Sequence, residues 1–225
     1  MIKQTTLARE VSASGHGLHT GERARITLRP APAYTGYIFR RTDLNNFEVA
    51  AAPQHVARVS YATTLMRQGV MVATVEHLLA ALAGTHIDNC VIDIDSLEVP
   101  ILDGSAEPFI DLIEQAGTTE LEAPRQFLRV LKRVEVEDGN RRMSISPAND
   151  FSISCLIEFP HPMIGTQRFE IEINDGQFAR HVASARTFGF LQEIEALRNM
   201  GLARGGSLDN AIVLTPEGGV MNREG

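Results

Sequence analysis

Apolar and polar residues alternate along several short segments in the early part of the chain. Between residues 23 and 29, every second position is apolar, at Ala24, Ile26 and Leu28. A period of two is typical of a β-strand with one buried face and one solvated face. Similar short segments, bounded by turn-forming residues, predict further strands at 37–40, 56–60 and 70–72.

Two segments of the first half show the period of an amphipathic helix. Thr74 is the predicted N-cap of the first helix, and Gly84 is its predicted end. Ser105 is the predicted cap of the second helix. The apolar positions that define the two stripes are Val75, Leu78, Leu79 and Leu82 in the first helix, and Phe109, Leu112, Ile113 and Ala116 in the second.

The second half begins after a short polar stretch, residues 118–124, which is interpreted as a link. Alternation along 153–159 and 169–173 predicts paired strands, and a short helix is predicted over 192–200. An apolar sheet face must be covered by another layer. Because no full amphipathic helix appears in this half, the sequence predicts that the second unit is incomplete.

Composition narrows the class of protein without identifying it. The chain has 225 residues, of which 44% are hydrophobic and 22% charged, as in ordinary globular proteins. Its formal charge of −7 argues against nonspecific nucleic-acid binding. No apolar run approaches the length of a membrane span, and no secretory signal is predicted. Cys90 and Cys155 lie in apolar runs and are expected to be buried, reduced thiols. The alternative is a disulfide bond between them.

The pair Glu76–His77 is the sharpest candidate for chemistry. On a helical wheel, His77 points nearly opposite the apolar stripe of the first helix, so it is not simply a core residue. Such a histidine is a candidate zinc ligand, and the adjacent carboxylate is a candidate base for a metal-bound water. A solvated helix start with an acid near the dipole explains the same dipeptide. The other histidines show no recognisable ligand spacing: His16, His19, His55, His86, His161 and His181.

Other candidate residues are weaker when they are considered singly. The hydroxyl of Thr187 is a candidate donor to an oxyanion, although a bend between two elements explains the position as well. The segment Asp103-Gly104-Ser105 is typical of a turn followed by a helix cap. The loop 204–207 is a weak candidate for holding an anion through its backbone amides.

Taken together, these segments resemble the bacterial UDP-3-O-acyl-N-acetylglucosamine deacetylase family. No single block is specific, but the blocks occur in the family's order along the whole chain. The matching blocks are 5–7, 15–21, 40–43, 63–65, 74–84, 87–89, 98–105, 185–190 and 202–213.

The resemblance implies an α+β fold of two similar domains. Each is expected to be a mainly antiparallel sheet with helices packed on one face, so that the helices lie between the two sheets. The first domain, residues 1–119, would carry Glu76 and His77. The second, residues 125–225, would be incomplete and would contain an insert at 191–213 that forms a passage for an acyl chain.

The same resemblance assigns roles to single residues. His77 is expected to bind zinc, Glu76 to act as the general base and Thr187 to stabilise the oxyanion. Four residues are expected to contact the substrate: Thr63, Phe188, Leu197 and Leu202. The family's other zinc ligands, a histidine and an aspartate one helical turn apart, have no counterpart here. The resemblance therefore implies one Zn²⁺ per complete site and an incomplete site in this sequence.

The implied activity is hydrolytic removal of the N-acetyl group from UDP-3-O-acyl-N-acetylglucosamine, which releases acetate in lipid A biosynthesis. The alternative is a noncatalytic remnant that binds the acylated sugar nucleotide, because the later zinc ligands are absent. In either case the expected partner is a small-molecule substrate and not a nucleic acid. The chain is expected to be cytoplasmic and monomeric.

Overall fold

A computed structural model describes residues 1–174 and 176–223 and shows an α+β protein with mostly antiparallel sheets. The predicted fold class is therefore confirmed. The first half contains β1 (Lys3–Leu7), β2 (Val11–His16), β3 (Arg23–Pro30), β4 (Tyr37–Arg41), β5 (Phe47–Ala50), β6 (Val56–Arg58), β7 (Thr64–Arg67), β8 (Val70–Val72), α1 (Glu76–Gly84), β9 (Cys90–Ile94), α2 (Glu107–Ala116) and β10 (Thr118–Pro124). The second half contains β11 (Val134–Asp138), β12 (Arg141–Ile145), β13 (Ser152–Phe159), β14 (Gly165–Glu172), α3 (Gln177–His181), β15 (Phe188–Phe190), α4 (Leu191–Asn199) and β16 (Ile212–Leu214).

The main core lies between a five-stranded sheet and the two long helices of the first half. The sheet has the order β2-β3-β9-β4-β5, and β4 pairs with β9 in parallel while the other neighbours are antiparallel. The predicted alternation of β3 is confirmed, since Ala24, Ile26 and Leu28 are fully buried. Ile26 and Leu28 join the apolar stripes of α1 and α2 in one cluster, and this burial is the main force that holds the two helices in place.

The start of α1 differs from the prediction. Thr74 is not the N-cap: it has a positive φ of 57°, and its hydroxyl donates to Glu98 and not to the helix. The helix begins at Glu76. The second helix starts close to the predicted place, because the backbone N–H of Glu107 donates to the hydroxyl of Ser105 at 3.2 Å.

The predicted link at 118–124 is wrong, because this segment is strand β10. It pairs antiparallel with β1, which joins it to the first half of the molecule. Arg125 then forms an ion pair with Asp88 at 2.8 Å. The sequence suggested a link because the segment is polar, but an edge strand needs few apolar residues. The division into domains 1–119 and 125–225 stays a prediction, and Glu224 and Gly225 lie outside the described residues.

The second half is built from hairpins whose apolar side chains remain in contact with solvent. In the pair β13–β14, Ile153 is 44% exposed and Phe169 is 47% exposed. The short helix α3 contributes Phe178 to the core of the first half and not to a core of its own. Among the described residues, no layer covers this sheet, in agreement with the expectation from its sequence pattern. None of the helices in residues 1–174 and 176–223 combines the length and apolar character that crossing a bilayer requires.

The two cysteines differ in environment. Both are free, Cys90 is buried in the core, and Cys155 is exposed on β13. The expectation that both thiols are buried is therefore wrong for Cys155, because its strand lacks a covering layer. Burial raises the pKa of Cys90 to about 12, so its reactive thiolate is absent near neutral pH.

We predict that a thiol reagent modifies one cysteine in the native chain and two in the unfolded chain. At pH 8, Cys155 should react with an aromatic disulfide reagent within minutes, whereas Cys90 should react only after denaturation. The measurement is the absorbance of the released thiolate, and Cys155→Ser is the control that should abolish the native reaction. Equal reaction rates of both thiols in the native chain would contradict the buried placement of Cys90.

Limited proteolysis should begin between the two halves. Residues 125–133, all within the described part of the chain, form neither helix nor strand, and Leu128 and Leu131 are 91% and 82% exposed. We therefore expect the first tryptic cuts after Arg129, Lys132 or Arg133. Mass spectrometry of the early products identifies the cleaved bonds. An initial cut within residues 3–124, from β1 to β10, would contradict this account.

Candidate functional site

The candidate base Glu76 is the first residue of α1 and is held by the loop before β7. Its Oε2 accepts a hydrogen bond from the backbone N–H of Thr63, with an N···O distance of 3.0 Å. The carbonyl of Thr63 in turn accepts from the N–H of Val75 at 3.3 Å. Two hydrogen bonds therefore attach Thr63 to the start of the helix. The Glu76 carboxylate is half-buried, and its other oxygen takes no part in these bonds.

His77 is half-buried, and its environment favours the neutral imidazole. Burial lowers the pKa of His77, and the carboxylates of Glu76 and Asp103 oppose that shift. Its Nδ1 is buried and has no hydrogen-bond partner among the described residues. Buried polar atoms are normally paired, so a fully solvated helix start does not describe this histidine. A neutral imidazole with an unpaired nitrogen has the chemistry of a metal ligand.

Asp103 was not singled out from the sequence, where it indicated only a turn. In the structure, its Oδ1 accepts from the backbone N–H and the hydroxyl of Ser105, at 2.9 and 2.8 Å. The next residue, Gly104, accepts from the N–H of Thr187 at 2.8 Å. The Asp103–Gly104 turn therefore contacts the backbone of Thr187, and the charge of Asp103 acts on the pKa of His77.

Two glycines allow the second half to approach this turn closely. Gly104 has a φ of +88°, and a Cβ there would collide with the carbonyl oxygen of Asn210. A Cβ at Gly205 would likewise collide with the carbonyl oxygen of Gly17. Backbone meets backbone at both places, which only glycine permits. These contacts hold the segment 187–213 against the first half.

An apolar cavity of about 330 Å³ lies between this segment and the first half. Three predicted site residues line it: Thr187, Phe188 and Leu197. Thr63 does not line it but contacts Glu76, and Leu202 is partly buried outside the lining. The volume falls within the usual range for small-molecule sites. The remaining wall is mostly aliphatic, with Leu18, Leu191, Ile194, Leu208, Ala211 and Val213.

His19 also belongs to the cavity wall, although its spacing in the sequence indicated no site. The N–H of Ala203 donates to its Nδ1 at 3.4 Å, and its Nε2 lies 3.3 Å from the carbonyl oxygen of Tyr61. With Nδ1 as acceptor, Nε2 is the donor. The block 15–21 is among those that match the family, but its position against 203–206 depends on tertiary contact and not on local pattern.

The loop 204–207 does not hold an anion through its amides, so that expectation is wrong. The N–H groups of Arg204 and Gly205 donate to the carbonyls of His19 and Leu18, at 3.2 and 3.0 Å. The N–H of Gly206 donates to Ala203, and that of Ser207 donates to the side chain of Asn210. All four backbone N–H groups of the loop therefore donate within the protein, and none is left for a ligand.

The candidate zinc site was tested against the side chains present. His77 fits as one ligand, because its buried Nδ1 is unpaired and its ring favours the neutral form. Within residues 1–174 and 176–223, however, no three histidine, cysteine, aspartate or glutamate side chains converge as a metal site. A catalytic zinc normally has three protein ligands. The described residues therefore offer one candidate ligand, His77, and not a complete set.

The family model and the individual relatives that match this chain indicate the same protein family. Residues 4–225 match the family model described as LpxC: UDP-3-O-acyl N-acetylglycosamine deacetylase. A relative from Myxococcus xanthus is 51% identical over 223 residues, which is 99% of this chain and 71% of the relative. Relatives from Solibacter usitatus and Cellvibrio japonicus are 48% and 47% identical and cover 96% and 100% of this chain, which spans 72% and 75% of their lengths.

All three relatives carry the name UDP-3-O-acyl-N-acetylglucosamine deacetylase, which describes a hydrolytic enzyme. The order of the motifs and the match over nearly the whole chain agree. The chain belongs to the UDP-3-O-acyl-N-acetylglucosamine deacetylase family of enzymes.

Proposed function

We propose that this chain carries part of an active site that removes the N-acetyl group from UDP-3-O-acyl-N-acetylglucosamine and releases acetate in lipid A biosynthesis. One observation carries the proposal: Thr187, which lines an apolar cavity, is bonded to the Asp103–Gly104 turn, whose carboxylate also acts on the pKa of His77. A reacting centre beside an apolar cavity fits a substrate with an amide and an acyl chain. The names of the relatives support the same substrate.

Glu76 is the proposed general base. Its carboxylate would take a proton from the water that attacks the acetyl carbonyl, while the bond from the N–H of Thr63 fixes one oxygen. The second oxygen is then directed by the rigid start of α1. Positioned proton transfer of this kind contributes about 10²- to 10⁴-fold to the rate.

Thr187 is the proposed donor to the oxyanion. Its backbone is fixed on both sides, because its N–H donates to Gly104 at 2.8 Å and its carbonyl accepts from Ile212 at 2.9 Å. A hydroxyl on so constrained a backbone needs little reorganisation when charge develops on the acetyl oxygen. One such donor is worth about 3 kcal/mol in other hydrolases.

The cavity is the proposed place for the acyl chain of the substrate. Phe188 and Leu197 give it an apolar wall, and their contact with methylene groups would contribute about 0.8 kcal/mol for each buried methylene. Thr63, beside the base, and Leu202, at the end of the insert, keep their proposed substrate contacts as predictions. The cavity and the Thr187 side chain share one wall, which would place the acyl chain beside the reacting amide.

Zinc dependence is part of the proposal. His77 would hold the ion, and zinc lowers the pKa of a bound water toward about 7, which makes it a nucleophile at neutral pH. The remaining ligands are proposed to come from outside the described residues, since these supply no complete set. The family's relatives are longer than the region matched here. A cytoplasmic, monomeric enzyme is proposed from the sequence pattern.

A noncatalytic protein that binds the acylated sugar nucleotide is the second candidate. The incomplete ligand set among the described residues favours it, while the cavity by itself serves both functions. The two differ in one measurement. An enzyme releases acetate from the acylated sugar nucleotide in the presence of zinc, whereas a binding protein retains the substrate unchanged.

We predict that Glu76→Gln lowers acetate release about 10²-fold or more in the full-length enzyme, because glutamine cannot accept the proton. The substitution keeps the shape of the side chain and an oxygen for the N–H of Thr63, so thermal unfolding should change little. Radiolabelled acetate release measures the effect. Glu107→Gln, which removes an exposed acid from the same position of α2, is the matched control. Near-normal turnover in Glu76→Gln would refute the assignment of the base.

We predict that Ile194→Trp shifts the substrate preference toward shorter acyl chains. The larger ring would occupy cavity space, and exclusion of two methylenes should raise the KM for a long-chain substrate about tenfold. Turnover of a short-chain analogue should be unaffected. Glu195→Trp places the same ring on the exposed side of α4 and should leave both KM values unchanged. Equal effects of Ile194→Trp on both substrates would contradict an acyl chain in this cavity.

A further inference from the structure

Glu98 is a buried acid that the proposed chemistry does not use. Glu98 is only 1% exposed, and both of its carboxylate oxygens accept hydrogen bonds within the protein. The backbone N–H groups of His19 and Thr20 donate at 2.9 and 2.8 Å, and the hydroxyl of Thr74 donates at 2.8 Å. A buried carboxylate is costly unless such donors satisfy it. The three donors come from two separate segments, and Glu98 joins them.

One of these segments forms part of the cavity wall. Leu18 and His19 line the cavity, and the carbonyls of the same two residues accept from the amides of Gly205 and Arg204. The hydrogen bonds from the backbone N–H groups of His19 and Thr20 to Glu98 fix the opposite side of this loop. The loop is therefore held between the buried carboxylate and the insert of the second half.

The other segment is the strained turn directly before the candidate base. Thr74 has a φ of 57°, a left-handed conformation that is a genuine outlier for a β-branched residue. Such conformations are energetically costly and persist only where surrounding contacts determine them. The hydroxyl bond to Glu98 is one such contact. The strain lies two residues before Glu76, so it sets the direction in which α1 begins.

Glu98 is itself held rigidly by its backbone. The N–H of Ala73 donates to Leu97 at 2.9 Å, and the N–H of Val99 donates to Ala73 at 3.0 Å. The backbone of Glu98 is therefore paired with the residue next to Thr74. A fixed backbone and a fixed carboxylate together make this residue a reference point for both segments.

We propose that Glu98 is a positioning residue that aligns the base Glu76 with the cavity wall at His19. It acts through the hydroxyl of Thr74 on one side and through the amides of His19 and Thr20 on the other. This inference rests on the proposed function of Glu76. It goes further, because it connects the geometry of the reacting centre to the position of the acyl cavity through a single buried carboxylate.

The sharpest test is a pair of substitutions at Thr74 in the full chain. Thr74→Val keeps the shape but removes the hydroxyl, so the turn loses its bond to Glu98. Because small misplacements of a reacting group cost rate, kcat should fall about 10²-fold while KM changes less than about threefold. Thr74→Ser restores the hydroxyl and should recover kcat to within about threefold of the original enzyme. Equal kcat values in Thr74→Ser and Thr74→Val would overturn the proposal.

Amide hydrogen exchange gives a readout that does not depend on turnover. The N–H of Thr63 bonds to Glu76 and has no contact with Glu98. In Thr74→Val, its exchange should become about tenfold faster, because the base is no longer held in place. Glu98→Gln introduces a donor opposite other donors and should accelerate the amides of His19, Thr20 and Thr63 together. Unchanged exchange at Thr63 in both variants would show that Glu98 is a structural residue only.

Thr27→Val is the matched control. It removes a hydroxyl that bonds to Ser12 at 2.8 Å on the outer side of the main sheet. Neither kcat nor the exchange of the Thr63 amide should change. If the original full-length enzyme releases no acetate, the proposed function fails. The exchange of Thr63 then decides by itself whether Glu98 positions Glu76.

Discussion

The close contact of backbone with backbone between the two halves is the constraint on which the candidate site depends. Gly104 meets Asn210, and Gly205 meets Gly17, at separations that leave no room for a Cβ. These contacts place Thr187 beside the Asp103–Gly104 turn, and they close the cavity between the segment 187–213 and the first half. Larger side chains at either glycine would separate the two walls, so the site requires both halves.

The site combines this docking with local features that are unfavourable in isolation. His77 has a buried Nδ1 without a partner in the described structure, and Thr74 has a strained backbone. Glu98 is a carboxylate in an almost fully buried position. Each feature costs free energy, and the well-packed core beneath α1 offsets that cost. Unpaired or strained groups that persist on a rigid scaffold are concentrated where a protein binds or reacts.

The two halves contribute differently to stability. The first half encloses nearly all of the fully buried apolar residues, and it also receives Phe178 from α3. The hairpins of the second half expose apolar residues such as Ile153 and Phe169. The insert nevertheless has a defined position, because its glycine contacts and its hydrogen bonds to residues 17–21 and 103–104 attach it to the first half. Its order therefore comes from docking more than from a core of its own.

Local patterns in the sequence were sufficient for the strand β3 and the helices α1 and α2, while the fold class and the family came from the resemblance of motif blocks along the whole chain. The strand and the helices depend on residues close in the chain, where periodicity reports which face is buried. The same patterns failed at Thr74, whose hydroxyl bonds to Glu98 across the structure, and at 118–124, which is a strand only because β1 lies beside it. Cys155 was expected to be buried because its neighbours are apolar, but the sequence does not show whether a layer covers them.

The candidate site divides in the same way. The sequence singled out Glu76, His77 and Thr187 through motifs, while Asp103, His19 and Glu98 became important only when the chain was folded. The partners of Glu98 and His19 lie between 24 and 184 residues away, from the Thr74–Glu98 bond to the His19–Ala203 bond. No local period encodes such distances. The sequence by itself determined which residues are candidates for the chemistry. The tertiary structure decided which distant segments meet, because that depends on glycine contacts and buried hydrogen bonds between them.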